Sequence, residues 1–366
     1  MYDVSASWVA ANEQFLAPEG FVELSCYIPE LDETLVYTKR DLLSFKHQQT
    51  GSLVSGELPK NHIEFSLDNS DGKWNPNSPR GLERYLSERL KIVLRYGFDI
   101  NGITEWIPGG VFYLSEWSTS PDGLDASFTA RDLLEYMLDK PYTGEINGTL
   151  YDLAMSALTE ANLPEDAEVS ISEELVDYQV INTNYDRKTS IAEVLQKCAN
   201  AAGCVLYQNR KGVLVIGKLD YQDTGYVVPL NFSYTYPKTE LSRPLKDISV
   251  TYGGESKAIY PCSDAGETQT MDNDFVQAEE QAYSVAEWIA DGIRGRKTIT
   301  GEFRGDPRLA VFDVVQVENK YGIATGVAIT DICYQFKGAF HATYTGQIRG
   351  TVVNIYCDEV FCGEVS

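Results

Sequence analysis

The run Gly212-Val-Leu-Val-Ile-Gly217-Lys218 supplies the first seven of the eight positions of a phosphate-binding loop. The eighth must bring a hydroxyl to Mg²⁺, and here it is Leu219. The four residues between the glycines read as an apolar strand, where a phosphate cradle needs pliable backbone ahead of a helix. Asn69-Ser70-Asp71-Gly72 matches part of a calcium loop, but positions one and twelve would be Leu67 and Ser78, so both key carboxylates are missing. A turn before Trp74 is the better reading. Gly254-Glu-Ser256-Lys-Ala258 has Ala258 where a nucleophile elbow requires glycine, and its surroundings are β. His47, His62 and His341 are isolated, none with a second His at i+4 for a zinc site, and no Ser or Cys is singled out as their nucleophile. Cys198 and Cys204 are six apart and Cys357 and Cys362 five apart, so neither is a Cys-x-x-Cys pair. Cys198 and Cys204 read as small buried hydrophobes. Among 54 Asp and Glu an acid–base pair can always be assembled, but glycoside hydrolysis needs two at a defined separation in a sugar cleft. The 23 Tyr and 5 Trp that could line such a cleft suit protein interfaces equally. No catalytic, cofactor-binding or metal-ligating residue is therefore assigned, and neither enzymatic activity nor a cofactor is expected.

The charge balance points the same way. Thirty Lys and Arg against 54 Asp and Glu give a net charge of −24, which argues against gripping nucleic-acid phosphates or docking on an anionic membrane. The acidity is distributed: residues 1–130 carry 10 basic and 19 acidic side chains, 131–230 carry 8 and 16, and 231–366 carry 12 and 19. With 43% hydrophobic residues this is a folding chain, and 366 residues suggest two or three domains. The opening MYDVSASWVA has no basic-then-apolar run, so no signal peptide is expected, and no apolar stretch approaches the ~18 residues that span a bilayer. Seven Cys, an odd number, suit free thiols in a reducing cytosol.

The elements fall into three groups. Residues 1–130 read as β: Phe21–Ile28, Asp41–His47, 62–69 with Ile63, Phe65 and Leu67 on one face, 91–97, and 111–117 and 124–130 around the turn Ser120-Pro121-Asp122-Gly123, with a short helix at 81–90. Residues 131–230 read as α+β. A helix at 149–162 is capped by Thr149, a helix at 189–203 carries the capping box Ser190-x-x-Glu193 and Gly203 at its end, and a hairpin turns at Asn209–Gly212. Residues 231–366 return to β at 246–254, 296–303, 312–319, 326–336 and 339–357, with one inserted helix near 281–291 that Ser284-x-x-Glu287 could cap and Gly292 end. The two β groups look alike. Gly110-Val111, Gly123 and Ala126–Ala130 are echoed by Gly326-Val327, Gly338 and Ala342–Gly346, and Tyr96-Gly97 by Tyr321-Gly322. The expected fold class is α+β, predominantly β, with two related small β-barrels flanking a middle domain.

The order of these pieces resembles a known family. FSLDNSDGKWNP (65–76), ERLKIVLRYG (88–97), WIPGGVFYLSEW (106–117) and ASFTARDLLEYM (126–137), the helix-hairpin at 190–216 and GEFRGDPRLAVFDVVQV (301–317) look like the baseplate or tail hub proteins of tailed bacteriophages and related tail-like particles. The resemblance spans roughly residues 20–350 and contains no catalytic signature. It implies a structural virion component: a homotrimer whose six tube-like barrels meet a hexameric tail tube or distal tail protein. Its three-fold side would receive a tip, spike or fibre protein. It implies a place in the virion tail, assembled in the bacterial cytoplasm, with DNA passing through unbound and no stable membrane association. An acidic wall would repel the passing phosphates. The competing reading is a carbohydrate-binding or carbohydrate-active β protein, which predicts an aromatic-lined cleft.

Overall fold

The computed structural model describes residues 1–14, 18–52, 57–76, 78, 81–86, 89–181, 188–219, 223–293 and 297–349. Cys357 and Cys362 fall outside them, as does the end of the expected strand 339–357.

The chain is predominantly β. Five strands form a first group: β1 (Leu42–Thr50), β2 (Lys60–Asp68), β3 (Lys91–Ile100), β4 (Ile103–Thr119) and β5 (Asp125–Arg131). Five more form a second: β6 (Lys238–Leu241), β7 (Lys297–Phe303), β8 (Val314–Glu318), β9 (Ala324–Phe336) and β10 (Phe340–Ile348). The first group is hydrogen-bonded in the order β1-β2-β5-β4-β3, and the second in the order β6-β7-β10-β9-β8. Each strand of one group thus has a counterpart five labels on in the other, in both chain order and spatial order.

The pairing among described residues leaves both groups open, with no closed barrel where the sequence suggests two small β-barrels. The cause is β9. Its first residues, Ala324–Ala328, pair with β8, and its last, Asp331–Phe336, pair with β1 (Asp331↔Thr50 to Phe336↔Phe45). That handover joins the groups into one sheet that runs from β6 to β3 and on through a hairpin, Gly20–Ile28 and Glu33–Tyr37.

Alternation fixes the faces. Phe336, Phe45, Phe65, Phe128 and Trp117 stand opposite one another across β9, β1, β2, β5 and β4. The first four are at most 5% exposed. This aromatic row crosses the boundary between the groups and belongs to a core completed by Trp8, Leu94 and Phe112. Trp8 arrives on α1 (Ala6–Asn12), which the sequence reading did not anticipate.

The middle segment packs α2 (Leu150–Ala161) on α3 (Ile191–Ala201). The α2 stripe Leu150, Leu153, Ala154, Ala157, Leu158 and Ala161 is buried, as its spacing requires. Both helices begin in full capping boxes, Thr149 with Asp152 and Ser190 with Glu193. A Ser190→Ala variant is expected to lose about 1 kcal/mol of stability in urea unfolding, because the N–H of Glu193 loses its acceptor; an unchanged midpoint would show the cap to be dispensable. The core beneath these helices also takes Ile248 and Val250 from a small sheet (Leu245–Tyr252, Ser256–Pro261 and Glu267–Asp272), Phe275 from the turn that follows it, and Val285 and Ile289 from α4 (Glu279–Ile293).

Three local expectations are corrected. Helix α4 begins five residues before Ser284, whose hydroxyl donates to the Glu280 carbonyl inside the helix and caps nothing. The helix at 81–90 is a single 3₁₀ turn at Glu83–Tyr85, and residues 87 and 88 lie outside the described ones. Tyr96-Gly97 and Tyr321-Gly322 are not equivalent: Tyr96 is 1% exposed inside β3, whereas Tyr321 is 74% exposed in the β8–β9 turn. The true counterpart of that turn is Asn101-Gly102.

Candidate functional site: the polar face of a continuous sheet

The motifs rejected on sequence are ordinary structure. Leu214–Gly217 is a strand behind a turn at Gly212. Asn69 is buried and staples two turns, donating to Asn75 Oδ1 and the Gly123 carbonyl and accepting from the Trp74 N–H at 2.8 Å. Ser256 begins a strand. Cys198 and Cys204 are fully buried, and burial raises both thiols, Cys204 to about 11. Among the described residues no three His, Cys, Asp or Glu side chains converge as a metal-ligand set.

What the strands do assemble is a broad polar face. Opposite the aromatic core, the eight strands from β6 to β4 present rows of matched residues. One row runs Lys238, Thr300, Thr345, Asp331, Thr50 and Lys60. Another runs His341, Gln335, Lys46, Glu64, Thr129 and Glu116. A third runs Ser44, Ser66, Ser127 and Ser118. On this face Lys46, Lys60, Arg131 and Lys238 stand against Glu64, Asp68, Glu116, Asp125, Glu240, Glu302 and Asp331. Three of these four cations are also occupied. Lys46 pairs with Glu64 at 3.2 Å, Lys238 with Glu240, and Arg131 with Glu135 at 3.7 Å. Two of the three histidines lie here, each against a carboxylate: His62 on Glu64 at 3.2 Å and His341 on Glu302 at 2.6 Å. Burial lowers the His62 pKa, with Glu64 opposing, so His62 adds no cation near neutral pH. Among the described residues His341 Nδ1 has no hydrogen-bond partner, so none of their hydroxyls or thiols completes a nucleophilic triad with His341 and Glu302. A face of hydroxyls, amides and paired charges with a surplus of carboxylates offers phosphate no cluster of free cations.

A buried polar clamp holds the two groups together under this sheet. The loop 304–313 carries Asp306 and Arg308, an ion pair with Arg308 Nη2 2.6 Å from Asp306 Oδ2 and side chains at most 3% exposed. Asn12 of α1 donates to the same oxygen at 2.7 Å. Tyr334 of β9 donates its hydroxyl to the carbonyls of Asp306 and Leu309, and Arg210 from the middle hairpin donates to those of Pro307 and Leu309. Nearby, His47 of β1 is 1% exposed. Its Nε2–H donates to Asn61 Oδ1, which can only accept, so Nδ1 accepts from the Tyr96 hydroxyl at 2.6 Å. Burial lowers its pKa to about 3 and keeps the ring neutral. Phe312 closes the loop at φ +72 and lies over Gly51, where a Cβ would come within 2.4 Å of its ring. No composition or spacing signal marks Asp306, Arg308 or Asn12; only the fold brings them together.

The groups also share a detail finer than strand order. In β4 a bulge falls at Ser115, between the pairs Leu114↔Ala130 and Glu116↔Thr129, and the Ser115 hydroxyl donates to the Thr129 carbonyl at 3.1 Å. In β9 a bulge falls at Thr330, between Ile329↔Gly346 and Asp331↔Thr345, and the Thr330 hydroxyl donates to the Thr345 carbonyl at 3.2 Å. A matched bulge with a matched hydrogen bond is a repeated architectural feature.

No protein-family model matches the sequence, and no curated protein matches it. Solved structures do. The 43 kDa tail protein of prophage MuSo2 from Shewanella oneidensis superposes with a TM-score of 0.59 at 15% identity, over 90% of this chain and 98% of that one. A tail protein from Neisseria meningitidis gives 0.58 at 13%, over 90% and 96%. A prophage tail protein from Listeria monocytogenes gives 0.53 at 13%, over 92% and 97%. At these identities the likeness is one of fold: the chain has the fold of these phage tail proteins over nearly their whole length.

Proposed function

We propose that this chain is a structural component of a phage or phage-like tail: a non-enzymatic, homotrimeric baseplate or tail hub. It joins a hexameric tail tube or distal tail protein to a three-fold tip, spike or fibre protein, and forms part of the DNA conduit. The observation that carries this is the duplicated strand order with its matched bulges. Two like β domains in one chain (1–130 and 231–366, flanking a middle domain 131–230) let three chains present six like surfaces, which is what a six-fold tube needs from a three-fold hub. The open sheet supports the same reading, since edges that a closed barrel would have consumed remain available for neighbours. The polar face, with its paired cations and extra carboxylates, suits a wall that DNA passes without binding. Such a hub works in the virion tail, after assembly in the bacterial cytoplasm.

The test is the state of the purified chain and its behaviour toward DNA. Light scattering is expected to give three times 40.8 kDa at high concentration, microscopy three-fold rings, and mobility assays no retention of duplex DNA at physiological salt. A monomeric mass at every concentration, with no density for the protein in tail particles, overturns the hub. Selective binding on a glycan array would favour a carbohydrate-recognising protein.

A further inference from the structure

We infer that copies of this chain join head to tail through one strand addition, with Glu116–Thr119 at the end of β4 pairing with β6 of a second copy. The inference rests on the oligomeric hub reading and names the surface that builds it. Its template is inside the chain. After the Thr330 bulge, β9 continues as Asp331–Phe336 and is hydrogen-bonded on its outer side to β1. After the matching Ser115 bulge, β4 continues as Glu116–Thr119, bonded to β5 on one side and to no strand on the other among the described residues. The counterpart of β1 in the second group is β6, which among the described residues pairs only with β7. The chain therefore displays both halves of a junction that it has already made once internally.

The ladder fixes the register. Lys46 opposes Glu64, which opposes Thr129; Lys238 opposes Thr300, which opposes Thr345. Lys238 of β6 thus occupies the place of Lys46 in β1, and Leu241 the place of Gln49. In the internal junction Gln49 faces Ile332, whose counterpart in β4 is Trp117. Carried across, Trp117 faces Leu241 of the second copy, and Ser118 faces Glu240. The chemistry agrees. Leu241 is 68% exposed on an edge with no described neighbour, and Tyr236 and Tyr234, earlier in the same segment, are 68% and 59% exposed. Trp117 ends the aromatic row, half-buried against the core. An apolar side chain on a free edge strand is a template for another chain, and Trp117 against Leu241 extends the aromatic row into the next copy. Because the two edges differ, the contact is heterologous and closes into a ring if the rotation allows.

The test uses the full chain with Cys262, Cys357 and Cys362 replaced by serine. Ser118→Cys with Glu240→Cys, both exposed positions, places two thiols opposite each other. Ser118→Cys with Thr239→Cys places the second thiol on the other face. Oxidation with diamide is expected to link the first pair between chains and not the second. A separate Leu241→Asp variant, with unchanged circular dichroism, is expected to weaken self-association at least tenfold, as the loss of one buried leucine implies. Protein of trimeric mass that does not cross-link, or cross-links equally in both pairs, overturns this junction while leaving the trimer in place. Protein that is monomeric at every concentration overturns the oligomer itself.

Discussion

Replacing Asp306 with alanine is expected to cost the fold about 3–5 kcal/mol, the range for removing one partner of a buried ion pair. The cost arises from what remains. Arg308 keeps its charge at 3% exposure, with Nε and Nη2 robbed of the carboxylate oxygens that now lie 2.6–3.0 Å away. Asn12 loses its acceptor as well, which loosens α1 from the loop. The backbone carbonyl of residue 306 survives and still receives the Tyr334 hydroxyl, so the loss is confined to the side chain. A second variant, Asp306→Ala with Arg308→Met, removes both charges and should recover most of the stability, because an apolar pair needs no counter-charge. Urea unfolding of the three proteins decides the matter. A single variant within about 1 kcal/mol of the parent would mean that water enters the clamp and solvates Arg308.

Asp132→Asn is expected to change how stability depends on pH. Asp132 caps the 3₁₀ turn Leu133–Tyr136 through Oδ1, while Oδ2 is buried with no partner among the described residues. Burial raises its pKa from 3.8 to about 7, against the lowering effect of the Leu134 N–H. Between those two values the folded chain holds a proton that the unfolded chain has released, so this group's contribution falls as pH rises, by up to about 4 kcal/mol across the window. Burial also raises the pKa of Glu135, which acts in the same direction. His47 acts oppositely: neutral when folded, it loses stability as pH falls below about 6.5 toward 3. The difference between parent and Asp132→Asn isolates the carboxyl. The variant should gain a few kcal/mol relative to the parent at pH 8.5 and little at pH 4. Parallel curves for the two proteins would show that Asp132 is ionised in the fold throughout.

What the sequence displayed and what it hid divide along physical lines. The capping boxes at Thr149 and Ser190 and the stripes of α2 and α3 were legible because they depend on residues three and four apart. So were β2 and β5, whose alternation records a face that is half buried. Strand β6 was not: all four residues are exposed, so no alternation marks it, and only its ladder with β7 makes it a strand. Helix α1 has too few turns to announce itself and is placed by Trp8 entering a distant core. Ser284 shows the opposite error, since Ser-x-x-Glu occurs inside helices as well as at their starts. The resemblance of the two β groups was visible in their hairpins, but the bulges at Ser115 and Thr330, which establish the register, carry no sequence mark beyond a hydroxyl. The polar face was invisible because its rows cross eight strands that lie far apart along the chain.

The shared strand also sets a timetable. Thr50 and Asp331 are about 280 residues apart in the chain, yet they sit side by side. At roughly 5–20 residues per second, a ribosome needs about 15–60 s to travel from one to the other. Throughout that interval β1 has no outer neighbour, with Phe45 at its edge awaiting Phe336. Contacts of such sequence separation form late and slowly. Nascent chains are therefore most prone to stick to one another along β1, and a chaperone that shields one strand during synthesis would find its best target there.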